Sequence, residues 1–149
     1  MHRRRVPLQR SRRTPSEVIL AAYRAANRGR FAAANRLVAP SVVKSLEQST
    51  SCIRDASRSF RKSADPEIRA FGLAGRFFTD RYICWKAVTY NGSLVSVEAT
   101  REVIKGNRAT VSLRLRLLSG DVVKTRQTLV RQSGNWLVDS FWVKRRPGP

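Results

Sequence analysis

Histidine is almost missing from this chain. The single one, His2, stands in a basic leader, so the body of the sequence offers no imidazole for proton transfer or metal ligation. Cysteine is scarce too. Cys52 and Cys84 have neither a CxxC arrangement nor metal-ligand spacing. They read as two buried free thiols, because a bridge between them would need an oxidising compartment. No apolar run approaches the ~20 residues of a membrane-spanning helix. Acids are few, ten against thirty lysines and arginines. These shortages leave little material for a metal centre or a histidine-based active site, and no cofactor is expected.

What the sequence has in excess is positive charge, formally +20 over 149 residues. Part of it lies at the ends. Residues 1–13 form a basic, aperiodic segment with Arg3, Arg4, Arg5, Arg10, Arg12 and Arg13, and residues 144–149 open on Lys144, Arg145 and Arg146. Removing those nine cations leaves twenty-one against ten acids, so the span between, 14–143, still carries about +11 and has the length of one domain. A field of this sign favours polyanions: nucleic acid, an acidic lipid surface or an acidic protein. The leader has a positive segment but no apolar stretch after it, unlike a secretory signal. The expected compartment is therefore the cytoplasm, or the outside of the cell if translation starts further upstream.

The C-terminal third organises the fold. Over 109–118, Ala109, Val111, Leu113, Leu115 and Leu117 alternate with Thr110, Ser112, Arg114 and Arg116, the period of a half-buried strand. Ser119-Gly120-Asp121 reads as a three-residue turn that sets Leu117 against Val123, Leu115 against Thr125, Leu113 against Gln127 and Val111 against Leu129. A two-residue turn would put Lys124 opposite Leu117 and Arg126 opposite Leu115, burying charge. Lys105-Gly106-Asn107 reads as a similar turn, with Val103 against Ala109, Arg101 against Val111, Ala99 against Leu113, Val97 against Leu115 and Val95 against Leu117. Ser133-Gly134 suits a two-residue hairpin, with Arg131 opposite Trp136 and Leu129 opposite Val138. One face is then apolar, from Val95, Val97, Ala99 and Val103 to Trp136 and Val138. The other carries Glu98, Arg114 and Arg126 in one row, with Asp139 opposite Thr128.

The first half of the chain is helical in pattern. Thr14-Pro15-Ser16-Glu17 combines a cap, a proline at the first helical position and the glutamate of a capping box. Val18, Ala21, Ala22 and Ala25 form one stripe, with Ile19, Tyr23 and Ala26 beside it, and Gly29 ends the helix. A second helix is expected over 31–38, stopped before Pro40, with a further turn over 41–47. In 50–64, Ile53, Ala56, Phe60 and Ala64 make an apolar side and Arg54, Arg58, Arg61 and Lys62 a basic one. Asp65-Pro66-Glu67 starts another helix. Ile68, Phe71, Gly75, Phe78, Tyr82, Trp85 and Thr89 recur at intervals of three and four and favour a helix to about Val88. The alternative is a fifth strand over 82–90 closing at Asn91-Gly92. The fold class is thus α+β, N-terminal helices packed on a curved antiparallel meander of four or five strands.

This order of elements resembles the nuclear transport factor 2-like superfamily, a cone-shaped α+β fold, and most nearly its bacterial lumazine-binding-like domains of unknown function. The stretches that carry the likeness are TPSEVILAAYRAANRGRFAAANRLV, then WKAVTYNGSLVSVEATREVIKG, then GNRATVSLRLRLLSGDVVKTRQTLVRQSGNWLVDSF with its Gly-x-Trp. The resemblance implies a pocket between the concave sheet face and the helices. It covers isomerases, dehydratases and polyketide cyclases, which place an Asp, Glu or His in that pocket, and also non-catalytic accessory domains. Many relatives are secreted lipoproteins, whose signal and lipid-anchor cysteine this sequence does not show. Relatives often dimerise through the outer sheet face.

On the register above, no acid falls on the inner face. Glu98, Glu102 and Asp139 share the outer parity, and only Asp80 is placed to reach in as a general acid or base. Catalysis is therefore disfavoured, and an isomerase or dehydratase using Asp80 stands as the alternative to a non-enzymatic domain. The expected pocket residues are Tyr23, Tyr82, Arg101, Gln127, Arg131 and Trp136; Arg101 and Arg131 fall near one end of the concave face beside Trp136, a combination fitted to an anionic or aromatic small molecule. A protein partner or a homodimer is the other expectation for such a domain. The helix face of Arg54, Arg58, Arg61 and Lys62, with the basic ends, is the candidate for binding nucleic acid or another polyanion.

Overall fold

A computed structural model of the chain describes residues 13–47, 52, 66–67 and 81–140. The basic ends, Asp80 and the helix face of Arg54, Arg58, Arg61 and Lys62 lie outside the described residues. Helix α1, Pro15–Asn27, begins as the sequence dictates. Thr14 Oγ1 accepts from Glu17 N at 3.1 Å, and Glu17 Oε1 accepts from Thr14 N at 2.8 Å. It ends at Gly29, whose φ of +80° lets Arg30 N reach Ala25 O at 2.8 Å. Its buried side is Val18, Ile19, Ala22, Tyr23 and Ala26. The stripe thus runs one residue beyond Ala22 at each turn, with Ala21 and Ala25 only half-buried at its margin.

Helix α2, Phe31–Asn35, is shorter than its pattern predicts. The chain leaves it because Leu37 to Ala39 pair with a strand: Val138 N donates to Leu37 O at 2.8 Å and Ala39 N to Val138 O at 2.9 Å. Pro40 then opens helix α3, Pro40–Glu47, instead of merely ending the preceding one. Helix α4, Ile83–Val88, settles the choice at 82–90 for helix, but it starts only after a turn at 81–82, so the expected helix does not run on unbroken to Val88. Tyr90, Asn91 and Gly92 all have positive φ, and Asn91 N donates to Lys86 O at 2.7 Å. These residues form a helix end and not a hairpin, so no fifth strand forms there.

The strands β1, Leu94–Lys105, β2, Arg108–Leu117, β3, Val122–Gln132, and β4, Asn135–Ser140, make one antiparallel sheet in sequence order. The β3–β4 pairing follows the predicted register from Gln132 opposite Asn135 to Leu129 opposite Val138. The other two hairpins differ. Gly120, at φ +95°, takes the last position of the turn, so the loop is 118–120 and Leu115 meets Val123 in place of Thr125. The slip is two residues, which leaves every side chain on its predicted face. The outer row consequently reads Glu98, Arg114, Lys124, while Arg126 lies opposite Ser112.

The β1–β2 turn is two residues, with Gly106 at φ +61° as its first, and Lys105 opposite Arg108. That alone would turn the rest of β1 over. Thr100 is an extra residue in β1 that restores the predicted register from Ala99 to Val97. Between turn and bulge the faces are exchanged. Arg101 lies opposite Ser112 on the outer face and Glu102 opposite Val111 on the inner one. The physical reason is the charge on Arg101, which the bulge turns out to water, and Thr100 Oγ1 donates to Ser112 O at 3.3 Å beside it. Val95 and Asp139 are extra residues of the same kind. Val95 is therefore exposed instead of buried, and Ser140, not Asp139, faces Thr128.

The core joins the inner side of α1 to Ala109, Val111, Leu113, Leu115, Leu117, Leu129, Trp136 and Val138, with Val38 and Trp85 closing over it. Cys52 and Cys84 are joined in a disulfide, contrary to the expectation of free thiols. No described helix is long and apolar enough to cross a membrane.

Candidate functional site

The centre of the inner face holds a neutral polar pair. Tyr23 and Gln127 are each 1% exposed, and Gln127 Nε2 donates to the Tyr23 hydroxyl at 2.9 Å. Burial raises the Tyr23 pKa well above its ordinary value of 10, against a smaller opposing effect of the Gln127 bond, so the phenol stays neutral. Gln127 Oε1 is buried with no hydrogen-bond partner. It is an acceptor inside the cone, in the row of Val111 and Glu102.

The remaining predicted pocket residues separate into distinct places. Arg131 lies over the Trp136 ring at 4.5 Å, at the hairpin end of β3 and β4, where the pairing sets them opposite each other. Tyr82 stacks on Phe31 at 5.0 Å, with Arg81 over the Tyr82 ring at 5.2 Å and Lys86 over the Phe31 ring at 5.9 Å. Arg101 is exposed on the outer face and does not join the pocket, for the register reason above. Asp80 is outside the described residues.

Several of the described carboxylates have structural partners. Glu102 Oε1 accepts from Ser16 N at 2.9 Å and from Ser16 Oγ at 2.6 Å. It thus tethers the N-terminal end of α1 to β1, where a negative charge is favoured. Asp139 sits 3.1 Å from Arg108, Glu98 4.0 Å from Arg114, and Glu47 3.2 Å from Arg81. Among the described residues no three His, Cys, Asp or Glu converge as metal ligands. Sequence parity placed Glu102 on the wrong face; the Gly106-Asn107 dipeptide was the signal that a two-residue turn would turn that end of β1 over.

Asn27 was also missed. Its Nδ2 donates to Leu94 O at 3.0 Å and its Oδ1 accepts from Leu94 N at 3.2 Å, binding the last turn of α1 to the first residue of β1. Beside this clamp runs a groove of about 310 Å³ lined by Arg24, Asn27, Arg28, Leu94, Val95, Ser96 and Val97. It lies at the opposite end of the sheet from Trp136, because Leu94 pairs with Leu117 and Trp136 with Arg131. At the far side of the sheet, Arg101, Lys105, Arg108, Arg114, Arg116, Lys124 and Arg126 are all exposed.

No protein-family model and no curated protein matches the sequence. Among solved structures, the fold is similar to the crystal structure of a protein from Campylobacter jejuni named as a candidate NTF2-like transpeptidase. The TM-score is 0.52 at 9% identity, over 87% of this chain and 100% of the other. A SEC-C motif containing protein from Rhodopseudomonas palustris aligns at 20% identity over 60% of this chain and 66% of its own, with a TM-score of 0.29 that carries no weight. The first likeness speaks to architecture alone, and it agrees with the helices, the open four-stranded sheet and their order: the chain has a nuclear transport factor 2-like fold.

Proposed function

We propose that the chain is a non-enzymatic accessory domain, one that works by holding a small molecule or a protein and not by transforming it. The observation behind this reading is the Tyr23–Gln127 pair. At the centre of the inner face, where an enzyme on this scaffold would carry a titrating group, the chain carries a neutral amide and a phenol held neutral, and Glu102, the carboxylate in the same row, is taken up by Ser16. The described sheet carboxylates that have partners are engaged in tethering α1 or in surface ion pairs. The unpartnered Gln127 Oε1 is the group a ligand's N–H or O–H would meet. The transpeptidase name of the structural neighbour does not carry over, since a likeness at 9% identity speaks to the fold alone. Complementation of a deletion strain tests the reading. Asp80→Asn and Glu102→Gln should each restore the phenotype as the wild type does, and failure of a folded carboxylate variant would replace it with catalysis.

A second reading, polyanion binding, is favoured by the outer face of the sheet. Arg101, Arg116, Lys124 and Arg126 stand there beyond the two surface ion pairs of Arg108 and Arg114. These residues are other than Arg54, Arg58, Arg61 and Lys62, which lie outside the described residues. Retention on an immobilised polyanion that collapses between low and moderate salt supports it, and salt-independent or absent retention removes it. The Cys52–Cys84 bond supports an oxidising compartment for either reading, in place of the cytoplasm that the leader favours.

A further inference from the structure

One corner of the molecule exposes apolar side chains among cations. Val95 is 56% exposed, Leu118 61% and Val122 40%. The pairing brings them together. Leu118 N donates to Ser93 O at 2.9 Å, two residues before Val95. Val95 is the extra residue between Leu94, opposite Leu117, and Ser96, opposite Arg116. Val122 faces Arg116 from the other side. Around these three stand Arg116, Arg114 and Lys124 on the outer face, and Arg24 and Arg28 across the groove that Val95 lines. The acids of the corner are Asp121 in the turn and Glu98, the latter facing Arg114.

We infer that this corner docks on an anionic lipid surface, with Leu118, Val122 and Val95 entering the headgroup layer and the surrounding cations on lipid phosphates. The inference rests on the polyanion reading above and names its partner. Both parts of the surface find use at a bilayer: exposed apolar side chains gain from partial insertion, and basic groups near an anionic membrane add attraction. A nucleic acid would use the charge and leave Leu118, Val122 and Val95 without a partner. A second copy of the chain would bring like charges together around an apolar centre of three side chains, too small to compensate.

Cosedimentation of the full chain with phosphatidylcholine vesicles, with and without about one-third phosphatidylglycerol, tests the inference, with a duplex DNA and a single-stranded RNA as parallel probes. Binding is expected only to the anionic vesicles. Leu118→Ser with Val122→Ser should lower it threefold to tenfold while leaving any DNA or RNA binding unchanged, since only the lipid uses those side chains. Arg116→Ala and Lys124→Ala should each lower vesicle binding by about fivefold, the effect of one basic group near the surface. Unchanged thermal unfolding shows that the variants are folded. Vesicle binding that ignores the serine changes overturns the inference, as does equal binding to neutral vesicles. Salt-sensitive DNA or RNA binding without vesicle binding overturns the inference and spares the polyanion reading; absence of all three overturns both.

Discussion

Leu113 and Arg114 are consecutive residues of β2. Leu113 is sealed in the core with Ile19 and Tyr23, while Arg114 reaches water 4.0 Å from Glu98. The same contrast repeats along the strand, from Ala109 to Leu117 on one side and Arg108 to Arg116 on the other. On the inner side each side chain has a packed neighbour, so composition there is dictated by volume and by the cost of burying charge. On the outer side solvent screens the charges, and fold stability dictates little. The excess of arginine outside therefore calls for a reason other than stability, whereas the neutral polar pair inside calls for a structural one before a functional one.

The largest test of this contrast concerns what fastens the helical cover over the inner face. Cys84, on α4, is bonded to Cys52 across a sequence separation of 32. Closing a loop of that length stabilises by about 3–4 kcal/mol on the chain-entropy account. Cys52→Ala/Cys84→Ala should lose that amount in urea unfolding. The wild type should lose it on adding reductant, to which the double variant is indifferent. Two titratable thiols in the purified protein would withdraw both the bond and the compartment it supports.

A smaller effect is expected inside the cone. Tyr23→Phe leaves Gln127 Nε2 without its acceptor and should cost about 1–3 kcal/mol. Adding Gln127→Leu removes both that donor and the already unpartnered Oε1, so the double variant should recover most of the loss. Strict additivity would show that the bond is not what matters. The pH dependence follows from the raised Tyr23 pKa. In the unfolded chain the phenol ionises near 10, while the folded form keeps its proton to higher pH. Stability from this group is full below pH 10 and falls above it by about 1.4 kcal/mol per pH unit. Tyr90, whose pKa burial also raises, adds in the same sense. Tyr23→Phe should make the alkaline decline shallower.

How much of this was legible in the sequence depends on the element. β2 has no bulge, and its alternation alone assigned Ala109 through Leu117 to the core. The start of α1 was legible because Thr14, Pro15 and Glu17 act on adjacent backbone. β1 was not, because alternation assumes one residue per step. Gly106 makes its turn a residue shorter and Thr100 inserts a residue, two changes that cancel by Ala99 but exchange the faces of Arg101 and Glu102 between them. Faces survived the β2–β3 misreading only because the slip was even. The Cys52–Cys84 contact joins segments whose approach no local pattern encodes. Of the pocket residues, Tyr23 and Gln127 do meet, but nothing in either segment shows that they satisfy one another.

The smallest predicted effect bears most directly on what the outer face is for. Arg126 lies opposite Ser112, which in turn lies opposite Arg101, so two cations occupy one row with only a serine between them. Their repulsion across exposed sheet is weak, and at physiological salt it is largely screened. Arg126→Glu replaces that repulsion by attraction and should raise stability by no more than about 0.5 kcal/mol. If the face is a solvated surface without a partner, that slight gain is the whole consequence. If it meets an anionic surface, the same variant should lose affinity for anionic vesicles as it gains stability. The arginine is then retained for contact at a small cost to the fold. A loss of more than about 1 kcal/mol would instead show that Arg126 packs its aliphatic stem on its neighbours as part of the structure, and the division between a packed inner face and a free outer one would have to be redrawn at β3.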